Sequence, residues 1–185
     1  MKIVRGIIEL VMEALETIVF VGTVYVVAYL FLFQPSAVNG ASMEPNFHTG
    51  DRVIANRIAY KLHPIVRGDV VVVRSPLNPE VEFIKRVIGL PQDSITIAQG
   101  KVFVNGKLLF DQFTSSATYA NQGFITEGQS YQVPKDMIFV MGDNRQNSLD
   151  SRSFGPIPIG NIIGQAVYRY FPPSVFGSIK NPLRN

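Results

Sequence analysis

Two patterns of apolar residues divide the chain. Lys2, Arg5, Glu9, Glu13 and Glu16 punctuate its start, but residues 17 to 43 carry no charge. Within that stretch TIVFVGTVYVVAYLFLF, Thr17 to Phe33, is almost wholly apolar. An α-helix rises ~1.5 Å per residue, and a bilayer core of ~30 Å needs roughly 17–25 residues. The run is at the short end of a span and becomes adequate when the upstream GIIELVMEALE joins the same helix. Pro35 is expected to end it, and Gln34 suits an exit at the interface. A membrane anchor, a cleaved secretory signal and a buried helix of a soluble domain compete for this segment. Three glutamates between the basic start and the apolar core count against the signal, and the run's length favours the anchor. Lys2 and Arg5 favour a cytoplasmic N-terminus. Residues 1–35 then form the anchor and residues 36–185 an exoplasmic domain.

Beyond Pro35 the pattern is one of short runs. VIANRIAYKL, DVVVVRSP, VEFIKRVIGL, SITIAQGKVFVNGKLLF, MIFVMGD and QAVYRYF are rich in Val, Ile, Phe and Tyr and are separated by Gly, Pro, Asn and Asp. Asn105-Gly106 between apolar flanks signals a hairpin, because a type I′ turn needs φ > 0 at both central positions. Gln99-Gly100 is a weaker signal of the same kind. The expected fold is all-β: a partly closed barrel of twisted antiparallel sheets behind one N-terminal transmembrane helix. Residues 112–135 are polar and turn-rich and read as an insertion or long hairpin.

Composition narrows the chemistry. Among 185 residues there is no cysteine, which excludes thiol catalysis, disulfides and thiolate metal sites. Two histidines, His48 and His63, and no HExxH pattern argue against a metal site, and no cofactor is expected. The net charge of +3 is not concentrated in any basic run, so nucleic acid is not an expected partner.

Three stretches carry candidate chemistry. NGASMEPNFH places Ser42 between small residues, with no basic group beside it. In VEFIKRVIG, read as a strand, Val81, Phe83, Lys85 and Val87 share one face, and Glu82, Ile84, Arg86 and Ile88 the other. Lys85 is thus alone among apolar side chains. Desolvation there would favour a neutral amine able to take a serine proton. The alternative is an edge or snorkelling lysine whose charged end reaches water. In GDNRQNSLDSRSFG, Asp143, Arg145, Asp150 and Arg152 interleave closely enough for guanidinium–carboxylate pairs to fix a loop. A surface turn with ordinary ion pairs is the alternative. No Ser-x-x-Lys or Gly-x-Ser-x-Gly pattern surrounds Ser42.

Together GASMEP, GDVVVVRSP, FIKRVIGLPQD and GDNRQNSLDSRSFG, in this order behind an N-terminal anchor, resemble bacterial-type signal peptidase I. That family consists of membrane-bound serine–lysine endopeptidases. The resemblance implies Ser42 as nucleophile, Lys85 as general base and Ser148 as the serine that orients the amine. It implies Asp143, Arg86, Asp150 and Arg152 as supporting polar residues, with an Asp143–Arg86 pair. The Ser42 backbone N–H would be one oxyanion donor. The side-chain donor that some members carry two positions earlier is replaced here by Gly40, which leaves the second donor in the Gly40 region open. Val38, Met43, Phe47, Phe83 and Ile84 would line shallow pockets for small substrate side chains, or else serve only as core. The implied partners are precursors bearing signal peptides and the lipid bilayer, with the secretion translocon as a further candidate. The implied site of action is the exoplasmic face of a plasma or thylakoid membrane.

Overall fold

The computed structural model describes residues 2–114, 116–120 and 123–184. Helix α1 runs over Lys2–Leu32, so the upstream residues do extend the apolar run. Its apolar length, Ile3–Leu32, has a mean hydropathy of 2.0, and no part of it is buried against the rest of the chain. Water would disfavour such a surface and a bilayer would not, which is consistent with a membrane protein. The helix meets its own polar needs: the Thr17 and Thr23 hydroxyls donate to the Glu13 and Val19 carbonyls at 2.8 Å. It stops at Leu32, before Pro35, because a residue preceding proline avoids the α region. Strand β1 (Phe33–Ala37) follows without a linker and holds Pro35 at a sheet edge, where a missing N–H costs no ladder bond.

The remaining elements are short. They are β2 (Arg52–Asn56), α2 (Ala59–Leu62), β3 (Val70–Arg74), β4 (Glu82–Gly89), β5 (Ser94–Ala98), β6 (Lys101–Val104) and β7 (Lys107–Leu108), then β8 (Ser130–Gln132), β9 (Met137–Met141), α3 (Ser151–Phe154), β10 (Ile157–Pro158), β11 (Ile162–Phe171) and β12 (Gly177–Ser178). One sheet has the order β1-β2-β11-β3-β4-β9-β10, with β12 against β11; the other has the order β7-β6-β5-β8. Every pairing is antiparallel. Strands β1 and β4 stand four places apart in the larger sheet, about 19 Å if it were flat. Yet Gln34 Nε2 of β1 donates to Glu82 Oε1 of β4 at 3.0 Å. The sheet therefore curls until its first and fifth strands face each other, giving the partly closed barrel that the strand pattern predicts.

Burial follows sequence. Val70, Val71, Val72 and Val73 are all buried, as an unbroken apolar run in a central strand requires. Alternate residues feed different clusters. Val71 and Val73 join Val87, Ile138, Val140 and Ile157, while Val70 joins Val38, Met43, Phe47, Val53 and Ala166. A third cluster, including Ile88, Ile95, Ile97, Phe139 and Met141, fills the space between the sheets. Asn105 and Gly106 take φ of 52° and 75° at the β6–β7 turn, and Gln99 and Gly100 take 52° and 74° at the β5–β6 turn.

Two segments depart from the strand reading. In VIANRIAYKL the strand ends at Asn56, and Ala59–Leu62 is one helical turn. Asn56 Oδ1 accepts from the Ile58 N–H at 3.1 Å, a local bond that turns the chain off the ladder. The polar stretch 112–135, of which residues 115, 121 and 122 lie outside the described residues, folds back on the smaller sheet. Its Ser130–Gln132 pairs with β5, and it buries Phe113, Thr118, Ile125 and Val133.

Candidate active site

Ser42 lies on the connection from β1 to β2. The connection is cinched at its base, with Val38 N–H donating to Asp51 O at 2.8 Å and Gly50 N–H to Val38 O at 2.9 Å. Inside it, Phe47 N–H donates to Met43 O at 2.9 Å, a single helical turn. Met43 and Phe47 point into the core, which leaves Ser42 half-buried and facing β4. The loop after β9 holds this turn from the other side. Asn144 N–H donates to Ser42 O at 3.0 Å, and Asn144 Nδ2 to Ala41 O at 3.1 Å.

Lys85 sits in β4 opposite Val71, is only 3% exposed, and brings Nζ to 2.8 Å from Ser42 Oγ. The Phe83 ring lies on the same face, 5.3 Å from the amine. Of the two sequence readings of Lys85, the snorkelling one is excluded by this burial. The amine is lowered from its ordinary 10.5 to about 8, chiefly by loss of hydration; the Asp150 and Asp143 carboxylates oppose the change and the nearby Arg152 charge adds to it. A neutral Lys85 can accept the Ser42 O–H without moving.

The supporting polar residues form two pairs. Arg86 holds Asp143 bidentately, with Nε to Oδ1 and Nη2 to Oδ2 both at 2.7 Å, and donates Nη1 to Gly68 O at 2.8 Å. Both side chains are buried, and the guanidinium lies 3.9 Å over the Phe113 ring. Arg152 holds Asp150 in the same way, at 2.9 and 2.8 Å. Asp150 also accepts from the Arg152 and Gly142 N–H groups at 3.1 and 3.0 Å, so it caps α3 and fixes the end of β9 at once.

Ser148 is buried, and its Oγ makes no hydrogen bond among the described residues. Its position is nevertheless shared with the Ser42 turn: a Cβ on Gly142 would overlap both Ser148 Oγ and the Ser42 carbonyl. Gly40 takes a φ of +90°, which suits glycine, while the space beside it is open. The candidate pocket residues divide. Val38, Met43 and Phe47 are buried in one core cluster with the partly exposed Ile84 against it, whereas the partly exposed Phe83 packs against the cluster of Val71 and Val73 instead. His48 is exposed, and His63 lies edge-on to Tyr60 with centroids 5.7 Å apart. Among the described residues no group of His, Cys, Asp or Glu could hold a metal ion.

Sequence reasoning missed several braces. Besides Asn144, Asn46 Nδ2 donates to Asp143 Oδ2 at 2.8 Å and to Phe113 O at 2.7 Å. The fully buried Arg145 pairs with Asp111 and donates to Thr118 Oγ1 at 2.7 Å and to Gly142 O at 3.0 Å, tying the 111–118 segment to the loop. Arg145 stood out in the sequence only as one member of a charge-dense loop; its partners Asp111 and Thr118 lie about thirty residues away and carry no local signal.

Comparison with known proteins agrees with this geometry. Residues 11–171 match the family described as "Signal peptidase, peptidase S26". Over 156 residues the chain is 35% identical to the probable signal peptidase I-1 of Synechocystis sp., covering 80% of this chain and 76% of that protein. Over 185 residues it is 32% identical to signal peptidase IB of Staphylococcus aureus, covering 92% of this chain and 96% of that protein. It is also 34% identical over 170 residues to the chloroplastic thylakoidal processing peptidase 1 of Arabidopsis thaliana, covering 82% of this chain but only 47% of that longer protein. With a buried amine against a serine hydroxyl and a family match over most of its length, the chain belongs to the signal peptidase family, peptidase S26.

Proposed function

We propose that this chain removes N-terminal signal peptides from translocated precursors, with Ser42 as nucleophile and Lys85 as general base. The observation that carries the reading is the 2.8 Å approach of the buried Lys85 amine to Ser42 Oγ. Neutral Lys85 takes the hydroxyl proton as Ser42 Oγ bonds to the scissile carbonyl carbon. The ammonium so formed gives that proton to the leaving amine as the C–N bond breaks. Lys85, neutral again, then draws a proton from water, which attacks the acyl-serine, and Ser42 Oγ departs with that proton restored. The Ser42 N–H serves as one oxyanion donor; the bond from Ser148 to the lysine amine that the resemblance implies is not formed among the described residues, and Ser148 supports the site only by packing beside the Ser42 turn.

The sheet supplies a place for an extended substrate. Strand β4 pairs with β9 only from Arg86 onward, so on that side the backbone of Glu82–Lys85 has no strand partner among the described residues. The free edge of β1 faces it across the curl. A precursor segment lying between them would add as a strand, with the small residues at the first and third positions before the cut on one shared face. Helix α1 spans the bilayer with its N-terminus cytoplasmic, and tethering keeps the site where translocated precursors emerge. The test is mass spectrometry of the new termini after incubation with a signal-bearing precursor. Wild type should yield one cut after a small residue. Ser42→Ala and Lys85→Ala should yield none while unfolding at a normal temperature; cleavage by either would overturn the mechanism.

A further inference from the structure

The contact that closes the curl lies at one end of this substrate cleft. Gln34 Nε2 donates to both oxygens of Glu82, at 3.0 and 3.3 Å. Gln34 is the second residue of β1 and Glu82 the first of β4. From there both strands run the same way: β1 toward Ser42, and β4 toward Lys85. Glu82 is exposed and precedes Lys85 by three residues, about 10 Å along the strand. Arg74 stands directly across from it on β3 but makes no ion pair with it within 4.0 Å. Among the described residues the Glu82 carboxylate therefore has one neutral hydrogen-bond partner and no ion pair, and it borders the open edge of β4.

The direction of a bound precursor follows from α1. The apolar part of a signal peptide lies upstream of its cut and shares the bilayer with α1. The upstream residues accordingly run toward the α1 end of β1, which is the Gln34–Glu82 end, and the cut lies at Ser42. At ~3.3 Å per residue, Glu82 then borders the substrate just beyond the third residue before the cut. We propose that Glu82 is a specificity-determining residue that favours a basic and disfavours an acidic side chain at the fourth and fifth positions before the cut, with Gln34 holding its carboxylate over the cleft. The inference rests on the proteolytic reading above.

The experiment measures kcat/KM for three precursors that differ only in carrying Lys, Gln or Glu at the fourth and fifth positions. Wild type should prefer Lys over Glu by about fivefold, the size of an exposed charge pair. Glu82→Gln should bring that ratio to about one, and Glu82→Lys should reverse it. Because each ratio is taken within one enzyme, a general loss of rate in a variant does not disturb it. Should both variants fail to fold, the wild type alone decides: its preference should fall toward one in 1 M salt, where screening acts within about 3 Å. A wild-type ratio of one, a ratio insensitive to salt, or one unchanged in Glu82→Gln overturns the assignment and leaves the proteolytic reading standing. Failure of wild type to cut the Gln precursor, or cutting by Ser42→Ala, overturns both.

Discussion

Lys85 and Arg86 are neighbours in β4, yet they meet opposite fates: one amine is left with a hydroxyl, and one guanidinium is locked to Asp143 by two bonds of 2.7 Å. Strand alternation sends them to different faces, so one strand supplies both the proposed base and the brace that fixes its position. The brace reaches further. Asp143 lies in the loop whose next residue, Asn144, grips the Ser42 and Ala41 carbonyls.

Breaking the brace should therefore cost stability as well as activity. Asp143→Ala leaves a buried arginine without its carboxylate, and the expected loss is about 3–5 kcal/mol. Thermal unfolding should show a midpoint lower by roughly 10 °C. Arg86→Met combined with Asp143→Ala should cost less than the sum of the single changes, since neither charge is then orphaned. Additive losses would show that the pair is not coupled.

The lysine has a pH signature. Its folded-state amine titrates near 8 rather than at 10.5, so kcat/KM should rise about tenfold per pH unit below 8 and level off above it. A plateau reached only near pH 10 would contradict the burial argument.

Stability should follow the same amine. Below pH 8 it is protonated in both the folded and unfolded chains, and the folded state bears the whole cost of a dehydrated ammonium, about 3 kcal/mol. Between 8 and 10.5 the unfolded chain holds a proton that the folded one lacks, so stability rises with pH across that window. Lys85→Met should be inactive yet more stable than wild type at pH 7, with the difference shrinking as pH approaches 10.5. Chemical denaturation at several pH values measures it.

Asn144 should act on rate more than on binding. Asn144→Ala removes the side-chain bond to Ala41 O but keeps the backbone bond to Ser42 O. A bond of this kind is worth about 0.5–1.5 kcal/mol, so kcat should fall up to about tenfold with little change in KM. Gly142→Ala should be harsher, because its Cβ overlaps Ser148 Oγ and the Ser42 carbonyl; a loss of about a hundredfold is expected from displacing the nucleophile turn. Steady-state kinetics on one precursor distinguishes the two.

What the sequence discloses depends on how local the signal is. The hairpin at Asn105-Gly106 and the buried run Val70–Val73 are written in adjacent residues, and so is the isolation of Lys85 on its strand face. The proximity of Ser42 to Lys85 came from resemblance, because forty-three positions separate them and nothing in either segment names the other. Arg145, Asp111 and Thr118 show the same limit without a family motif to bridge it. The helical turn at Ala59–Leu62 was hidden for another reason: one asparagine side chain outcompetes the ladder, and a run of β-formers does not reveal that.

The passage from α1 to β1 leaves no slack. The helix ends at Leu32, the strand begins at Phe33, and the Leu32 carbonyl accepts from Arg57 N–H at 2.9 Å, stitching the junction to the body. For a bilayer-embedded helix, β1 then works as a rigid spacer of about 17 Å that sets the altitude of the serine above the lipid. Candidate bonds at other heights are then expected to go uncut however small their neighbours, which would make distance from the membrane a selection rule in its own right.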